Sequence, residues 1–307
     1  MSIRLTRRTA IAAAAAAPMV AAVAPAVRAA APLQGPLPRL ANRFKLGAFE
    51  VTALLSGTRT VPNPREIFGL NASEADFAAA SAAAFIPTDK TQFFFTPTLV
   101  NTGSELILFD TGVATAGIVA ALDQAGVTPD QIDTVVLTHM HGDHIGGLAA
   151  EGGPTFENAR YVTGAIEHNH WSKAGNEGFD KLVRPLNDKM TFLDDGGAVA
   201  PGITAVLANG HTPGHMVFMV ESDGRQLMLT ADAANHFVWS VQNPDWEVRF
   251  DADKAQAAAT RRKLFGMLAA DKVPFIGYHM PFPALGYVGA EGDGFRYVPA
   301  SYQTMLD

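Results

Sequence analysis

The stretch Thr138–Gly147, THMHGDHIGG, holds four potential metal ligands within six residues: His139, His141, Asp143 and His144. The whole chain of 307 residues has nine histidines, so three of them beside one aspartate are a concentration that asks for a chemical reason. The run before it, IDTVVLT (132–138), is apolar and β-branched, which predicts a buried strand ending at the cluster. In extended backbone, residues i and i+2 point to one side, so the imidazoles of His139 and His141 reach one ion. Asp143 and His144 follow where the chain turns near Gly146-Gly147, and they address a second ion beside the first. Three neighbouring imidazoles and a carboxylate are costly to bury without a cation to organise them.

Three further residues sit in matching contexts. NGHTPGH (209–215) puts His211 in a Gly/Pro loop after a strand, MLTAD (228–232) ends a strand at Asp232, and IGYHMPFP (276–283) ends another at His279. Polar residues at strand ends, flanked by turn formers, are where a rigid scaffold presents functional groups. His215 closes the GHTPGH loop and reads as structural or as a support for the ligands. His168, His170 and His236 read as surface or packing residues in preference to the mouth of a site.

The elements that must position these groups alternate along the chain. Strand-like runs lie at 49–57, 93–103, 105–112, 132–138, 202–209, 215–222, 225–232 and 273–279. Helical spacing lies at 116–126, 165–175 and 253–272. The last of these is the clearest helix, with Ala, Leu and Met on one side and charges on the other. VPFIGYH (273–279) reads as the final buried strand. Hairpin-like strands followed by alternating helices and strands predict two packed sheets with helices outside, an α/β (α+β) fold in a four-layer αββα sandwich. The chain has no cysteine, which excludes disulfides, thiolate zinc sites, iron–sulfur clusters and a cysteine nucleophile. Any metal site must use nitrogen and oxygen donors.

Taken in order, LFDTG, THMHGDHIGG, GHTPGH, TAD and GYH resemble the motif set of the metallo-β-lactamase superfamily. Within it, the chain resembles the methyl parathion hydrolase and N-acyl-homoserine lactonase branch, through LGAFEVTALLSGT, LVNTGSELILFDTG and AEGDGFRYVPASY as well. The resemblance implies the metallo-β-lactamase sandwich and two divalent metal ions, zinc first, with manganese, iron or cobalt as alternatives. It places one ion on His139, His141 and His211 and the other on Asp143, His144 and His279. Asp232 would bridge them, together with a water or hydroxide, and Asp110 in FDTG would steady the ligand loops.

The implied reaction is hydrolysis of an ester-like bond in an organophosphate triester, a lactone or an aryl ester. The bridging hydroxide attacks, and Asp143 and Asp232 orient it and relay its proton. Amide hydrolysis of the β-lactamase type and redox chemistry of an iron-holding member are the alternatives. Asn235 stands where related lactonases carry a tyrosine and related methyl parathion hydrolases an apolar residue. Trp171 falls in a segment that supplies a pocket tryptophan in that family. Trp171, Asn235 and Phe282 are the expected pocket residues. Phe93, Phe94 and Phe95 are further aromatics whose default is core packing. The resemblance also implies a homodimer.

Residues 1–31 have a basic start, an Ala/Val-rich stretch and a small-residue end, the layout of a bacterial export signal that is cleaved. Arg7-Arg8 before a weakly apolar tract reads as a twin-arginine signal, which predicts a periplasmic or otherwise exported protein. Pro18 and Pro25 interrupt the segment, and alanine is weakly apolar, so no stable membrane anchor is expected. Residues 32–39 read as a linker and 40–307 as one catalytic domain. Arg4, Arg7, Arg8 and Arg28 are the leader's only charged side chains, so cleavage takes the formal net charge from −7 to −11. Such an acidic chain does not suit nucleic acid as a partner. A small-molecule ester, lactone or phosphotriester does.

Overall fold

The computed structural model describes residue 33 and residues 39–306. The chain divides into Met1–Pro38 and Arg39–Asp307, and the fold below is that of the second unit. The expected export signal lies outside the described residues, as does nearly all of the expected linker. Among the described residues, no helix is long and apolar enough to cross a membrane.

In chain order the strands of the first half are β1 (Ala41–Leu46), β2 (Phe49–Leu54), β3 (Gly57–Pro62), β4 (Lys90–Phe95), β5 (Thr98–Asn101), β6 (Leu106–Phe109), β7 (Thr134–Leu137), β8 (Ala149–Ala150), β9 (Gly153–Pro154), β10 (Arg160–Gly164) and β11 (Met190–Leu193). The second half adds β12 (Ala198–Ala200), β13 (Ile203–Leu207), β14 (Met216–Ser222), β15 (Arg225–Ala231), β16 (Phe275–Gly277), β17 (Leu285–Glu291) and β18 (Gly294–Pro299). The helices are α1 (Glu74–Ala83), α2 (Thr115–Gln124), α3 (Gly142–Ile145), α4 (Ala165–Trp171), α5 (Glu177–Leu182) and α6 (Lys254–Asp271).

Two seven-stranded sheets carry the fold, ordered β1-β2-β5-β6-β7-β10-β11 and β12-β13-β14-β15-β16-β17-β18. Side-chain alternation shows how they are layered. Ile107, Phe109 and Val136 join the core shared with the second sheet, where Phe109 meets Phe218 at 5.1 Å between ring centroids. Their neighbours Leu108, Val135 and Leu137 point the other way, onto Ile118 and Leu122 of α2. A period of two with both faces apolar is what a strand covered on both sides requires. On the far side of the second sheet, Phe265 of α6 packs on Phe275 of β16 at 5.4 Å. Helix, sheet, sheet and helix therefore stack as expected, and β7 delivers the histidine cluster from the middle of the first sheet.

Three expectations are corrected. The run 93–103 is two strands: Phe95 ends β4, which pairs with β3 in a separate hairpin, and β5 begins at Thr98. Pro97 lies at the break, where a residue without an N–H cannot continue a ladder. VPFIGYH is not the final strand. The antiparallel hairpin β17–β18 follows and completes the sheet edge. The buried face of α6 is not purely apolar either, because Arg261 lies on it with Ala257, Leu264, Phe265 and Leu268.

Candidate metal centre

Each of the seven expected ligands leaves a strand end or a tight turn. His139 and His141 follow β7, and α3 starts at once with Asp143 and His144 in its single turn. That turn lies hard against the loop after β6. A Cβ on Gly147 would stand 2.2 Å from the Thr111 carbonyl oxygen, so only glycine permits the approach. His211 sits between β13 and β14, Asp232 directly after β15, and His279 after β16.

The structure brings all seven together. The donor atoms of His139, His141, His211 and Asp232 lie within 4.8 Å of one another, as do those of Asp143, His144 and His279. Nδ1 of His141 is 3.0 Å from Nε2 of both His139 and His211. Asp232 stands between the two groups. Its Oδ1 is 3.2 Å from His144 Nε2, and its Oδ2 is 3.2 Å from His279 Nε2, 3.3 Å from His211 Nε2 and 3.9 Å from His139 Nε2. Asp143 Oδ2 is 3.4 Å from His279 Nε2 and 3.8 Å from His144 Nε2.

The outer hydrogen bonds decide which nitrogen faces inward. Nδ1 of His144 donates to Asp110 Oδ2 at 2.8 Å, Nδ1 of His211 to Asp251 Oδ1 at 2.9 Å, and Nδ1 of His279 to the Phe94 carbonyl at 2.8 Å. A neutral imidazole whose proton is so committed presents a lone pair at Nε2. Those lone pairs converge on a carboxylate. His144 Nε2 and Asp232 Oδ1 are both buried and have no hydrogen-bond partner. Cations, whether protons or metal ions, must satisfy that centre, and imidazole nitrogen with carboxylate oxygen is a donor set that divalent zinc accepts.

The same geometry splits the histidines electrostatically. Burial, then the nearby His144, holds His139 well below its usual range, and burial with His211 lowers His141 to about 4. Burial opposes charge on His211 too, but Asp232 and Asp251 outweigh it and raise it to about 9. His144 and His279 are raised against burial by Asp232, with Asp110 helping at His144. Asp232 is held well below the carboxylate range despite its burial, by His279 and His144.

A profile of the metallo-beta-lactamase superfamily matches residues 96–274, more than half the chain. This chain belongs to the metallo-β-lactamase superfamily. An N-acyl homoserine lactonase of Bacillus cereus is 27% identical over 165 residues, 52% of this chain and 61% of the relative. The match thus spans under two thirds of that relative's length. The solved structure of AidC, a dizinc quorum-quenching lactonase with a product bound, is 28% identical and superposes with a TM-score of 0.79, covering 87% of this chain and all of that one. The hydrolase AbOPH, at 23% identity and a TM-score of 0.81 over the same shares, shows the fold alone.

In this superfamily member, a cavity of about 670 Å³ opens on the cluster. His141, Asp143, His211, Asp232 and His279 line it, with Val61, Ile67, Phe93, Phe95 and Phe250 on its apolar wall. Trp171, Asn235 and Phe282, the expected pocket residues, are not among the residues that line this cavity. Trp171 packs edge-on against His141 at 5.8 Å but gives its indole N–H to Glu167. Asn235 is buried and donates its amide to Asp232 Oδ2 at 2.9 Å. Phe282 is packed onto the inter-sheet core. Phe94 faces away from Phe93 and Phe95, as strand alternation dictates, and lines a separate cavity.

His215 accepts from the Asp232 backbone N–H at 3.1 Å, and burial lowers it to about 3, so it acts as a neutral prop. His236 accepts from the Val238 and Trp239 N–H groups inside an aromatic cluster, and His168 bonds Asn187. His170 is exposed.

Three supports escaped the sequence reading. Asp251 ties His211 to Arg261, with the Arg261 guanidinium 2.8 Å from its Oδ2. Tyr278 stacks on His144 and donates its hydroxyl to the Asp143 carbonyl. Glu167, fully buried, accepts from Met140 N, Gly214 N, Thr212 Oγ1 and Trp171 Nε1.

Proposed function

We propose that the protein is a metal-dependent hydrolase of lactones and related esters, working with two divalent ions. The observation that carries this reading is Asp232, whose carboxylate reaches both donor groups, His144 through Oδ1 and His279 through Oδ2 on one side and His211 through Oδ2 on the other. A carboxylate so placed suits a bridging ligand. His139, His141 and His211 would hold one ion, Asp143, His144 and His279 the other. Two ions there would supply polarisation of a carbonyl oxygen and a water acidic enough to attack it.

The remaining steps belong to the chain. Phe93, Phe95 and Phe250 form an apolar wall for an acyl or aryl group. Asp143 is the ligand carboxylate most open to the cavity, its side chain 28% exposed. Its carboxylate accepts the proton of the attacking water. The new C–O bond forms as the ester C–O bond breaks, and the proton passes to the leaving oxygen. Likeness to a dizinc lactonase favours carbonyl esters over phosphotriesters as substrates.

The deciding experiment is a substrate panel on full-length protein of measured metal content: an acyl-homoserine lactone, a 4-nitrophenyl ester, methyl paraoxon and a cephalosporin, with oxygen uptake followed in parallel. The lactone and the aryl ester are turned over, and chelation or Asp232→Ala removes both activities. Full activity after either treatment overturns the reading. Oxygen consumption would replace it with the redox alternative. Export through the twin-arginine route belongs to the same proposal and rests on Arg7-Arg8. Periplasmic accumulation of an Arg7→Lys, Arg8→Lys variant would refute it.

A further inference from the structure

The cavity carries two cations that the hydrolytic reading leaves without a task. Arg59 lies on β3, where residues two apart share a face, and Gly57, Arg59 and Val61 all line the cavity. It pairs across the hairpin with Phe93, another lining residue. Arg249 lines the cavity from the loop before α6, with its guanidinium carbon 5.2 Å from the Phe250 ring centre. Both side chains belong to exposed residues.

Among the described residues, the arginine–carboxylate pairs involve Arg160, Arg184, Arg261, Arg262 and Arg296, and neither Arg59 nor Arg249. In a chain of formal net charge −7, two guanidinium groups without a carboxylate partner lining one cavity are a local reversal of sign. The acids that line the same cavity, Asp143 and Asp232, are committed to the histidine cluster. A guanidinium has a planar donor fork that matches a carboxylate, and a positive cleft concentrates anions from solution.

We infer that the cavity selects esters or lactones that carry a carboxylate away from the bond to be broken, and that Arg59 and Arg249 recognise that group. The inference rests on the hydrolase reading and adds its substrate class. The aromatic wall takes the apolar part of such a molecule, the arginines take its anion, and the histidine–aspartate cluster faces the ester carbonyl. Arg59 and Arg249 act on binding and not on bond breaking, so their effect falls on KM.

The test compares two esters of one leaving group, 4-nitrophenyl hydrogen glutarate and 4-nitrophenyl valerate, on the full-length, metal-loaded protein. The anionic ester has the higher kcat/KM. Arg59→Gln and Arg249→Gln each narrow the ratio between the two esters about three- to five-fold, mainly through KM, and the double variant narrows it further. Raising salt from about 0.02 M to about 0.5 M narrows it as well. A ratio at or below one in the wild type, or a preference that survives both variants, overturns the inference while the hydrolase reading stands. Turnover of neither ester overturns both.

Discussion

Asp251 accepts a hydrogen bond from Nδ1 of His211 at 2.9 Å, across forty residues of sequence. Its other oxygen takes the Arg261 guanidinium at 2.8 Å, and that guanidinium is fully buried. One carboxylate thus orients a ligand of the candidate metal centre and neutralises a charge inside the fold.

These two tasks separate by mutation. Asp251→Asn keeps the shape but removes the anion from both His211 and Arg261, so metal affinity falls about 10- to 100-fold, measured by competition with a chelating dye, and some stability is lost with it. Asp251→Ala strands Arg261 without a counter-ion and costs about 3–5 kcal/mol in urea unfolding. Adding Arg261→Met to Asp251→Ala restores much of the stability but none of the affinity. Unaltered metal affinity in Asp251→Asn would show that the aspartate does not orient His211.

The protonation of His211 gives a signed pH dependence. Burial favours the neutral ring, but Asp232 and Asp251 win and raise it from 6.5 to about 9. A group raised in the fold contributes stability that is whole below the unfolded value of 6.5 and is lost as pH climbs through about 9. The melting temperature of chelated protein therefore falls over that window. Metal must displace the proton, so the loaded protein behaves oppositely and weakens as acid competes for its ligands. Calorimetric titration with zinc near neutral pH, in buffers of different ionisation enthalpy, reads the release of at least about one proton. A heat independent of buffer would contradict it.

Glu167 makes a similar case by a different route. Its carboxylate accepts from the backbone beside two ligand loops, Met140 N at 3.1 Å and Gly214 N at 2.9 Å. It also fixes Trp171 against His141. Glu167→Gln places an amide N–H₂ where donors already point and leaves backbone N–H groups unpaired, at about 1–3 kcal/mol. The expected result is lower metal occupancy and a matching loss of kcat. Restored activity at saturating metal would mark Glu167 as a positioning residue. A kcat that stays low at full occupancy would reject that role.

The candidate ligands stood out because histidines are few, three of them crowd beside one aspartate, and the others sit where apolar strands run into turn formers. Nothing local distinguishes Asp251 or Glu167. Each is a single acid in a polar stretch, and the loop it steadies lies far along the chain, His211 40 residues from Asp251 and Gly214 47 from Glu167. Arg261 looks like one more charge on an amphipathic helix until Asp251 is brought to it. The layered sheets followed from strand alternation, but the β17–β18 hairpin was missed because its glycines and tyrosines dilute an apolar run. The cavity's own lining was not legible for a related reason. Trp171 and Asn235 are next to candidate ligands, yet the Trp171 indole N–H is given to Glu167 and the Asn235 amide N–H to Asp232.

Gly214 provides the sharpest steric test of how the His211 loop meets α4. A Cβ there would stand 2.2 Å from the Glu167 nitrogen, 2.6 Å from its Cα and 2.8 Å from the Ile166 carbonyl carbon. All three are backbone atoms at the start of α4, so no rotamer change relieves the clash. Gly214→Ala must push the loop between β13 and β14 away from α4, carrying His211 with it and breaking the Gly214–Glu167 hydrogen bond. The expected cost is about 1–3 kcal/mol, with metal affinity reduced at the group containing His211. Gly289→Ala is the control. No heavy atom lies within 4 Å of its added Cβ, and stability should stay within about 0.5 kcal/mol of the parent. Urea unfolding with and without chelator separates the two contributions. If Gly214→Ala is as benign as Gly289→Ala in both conditions, the close contact between α4 and the His211 loop does not hold the centre together.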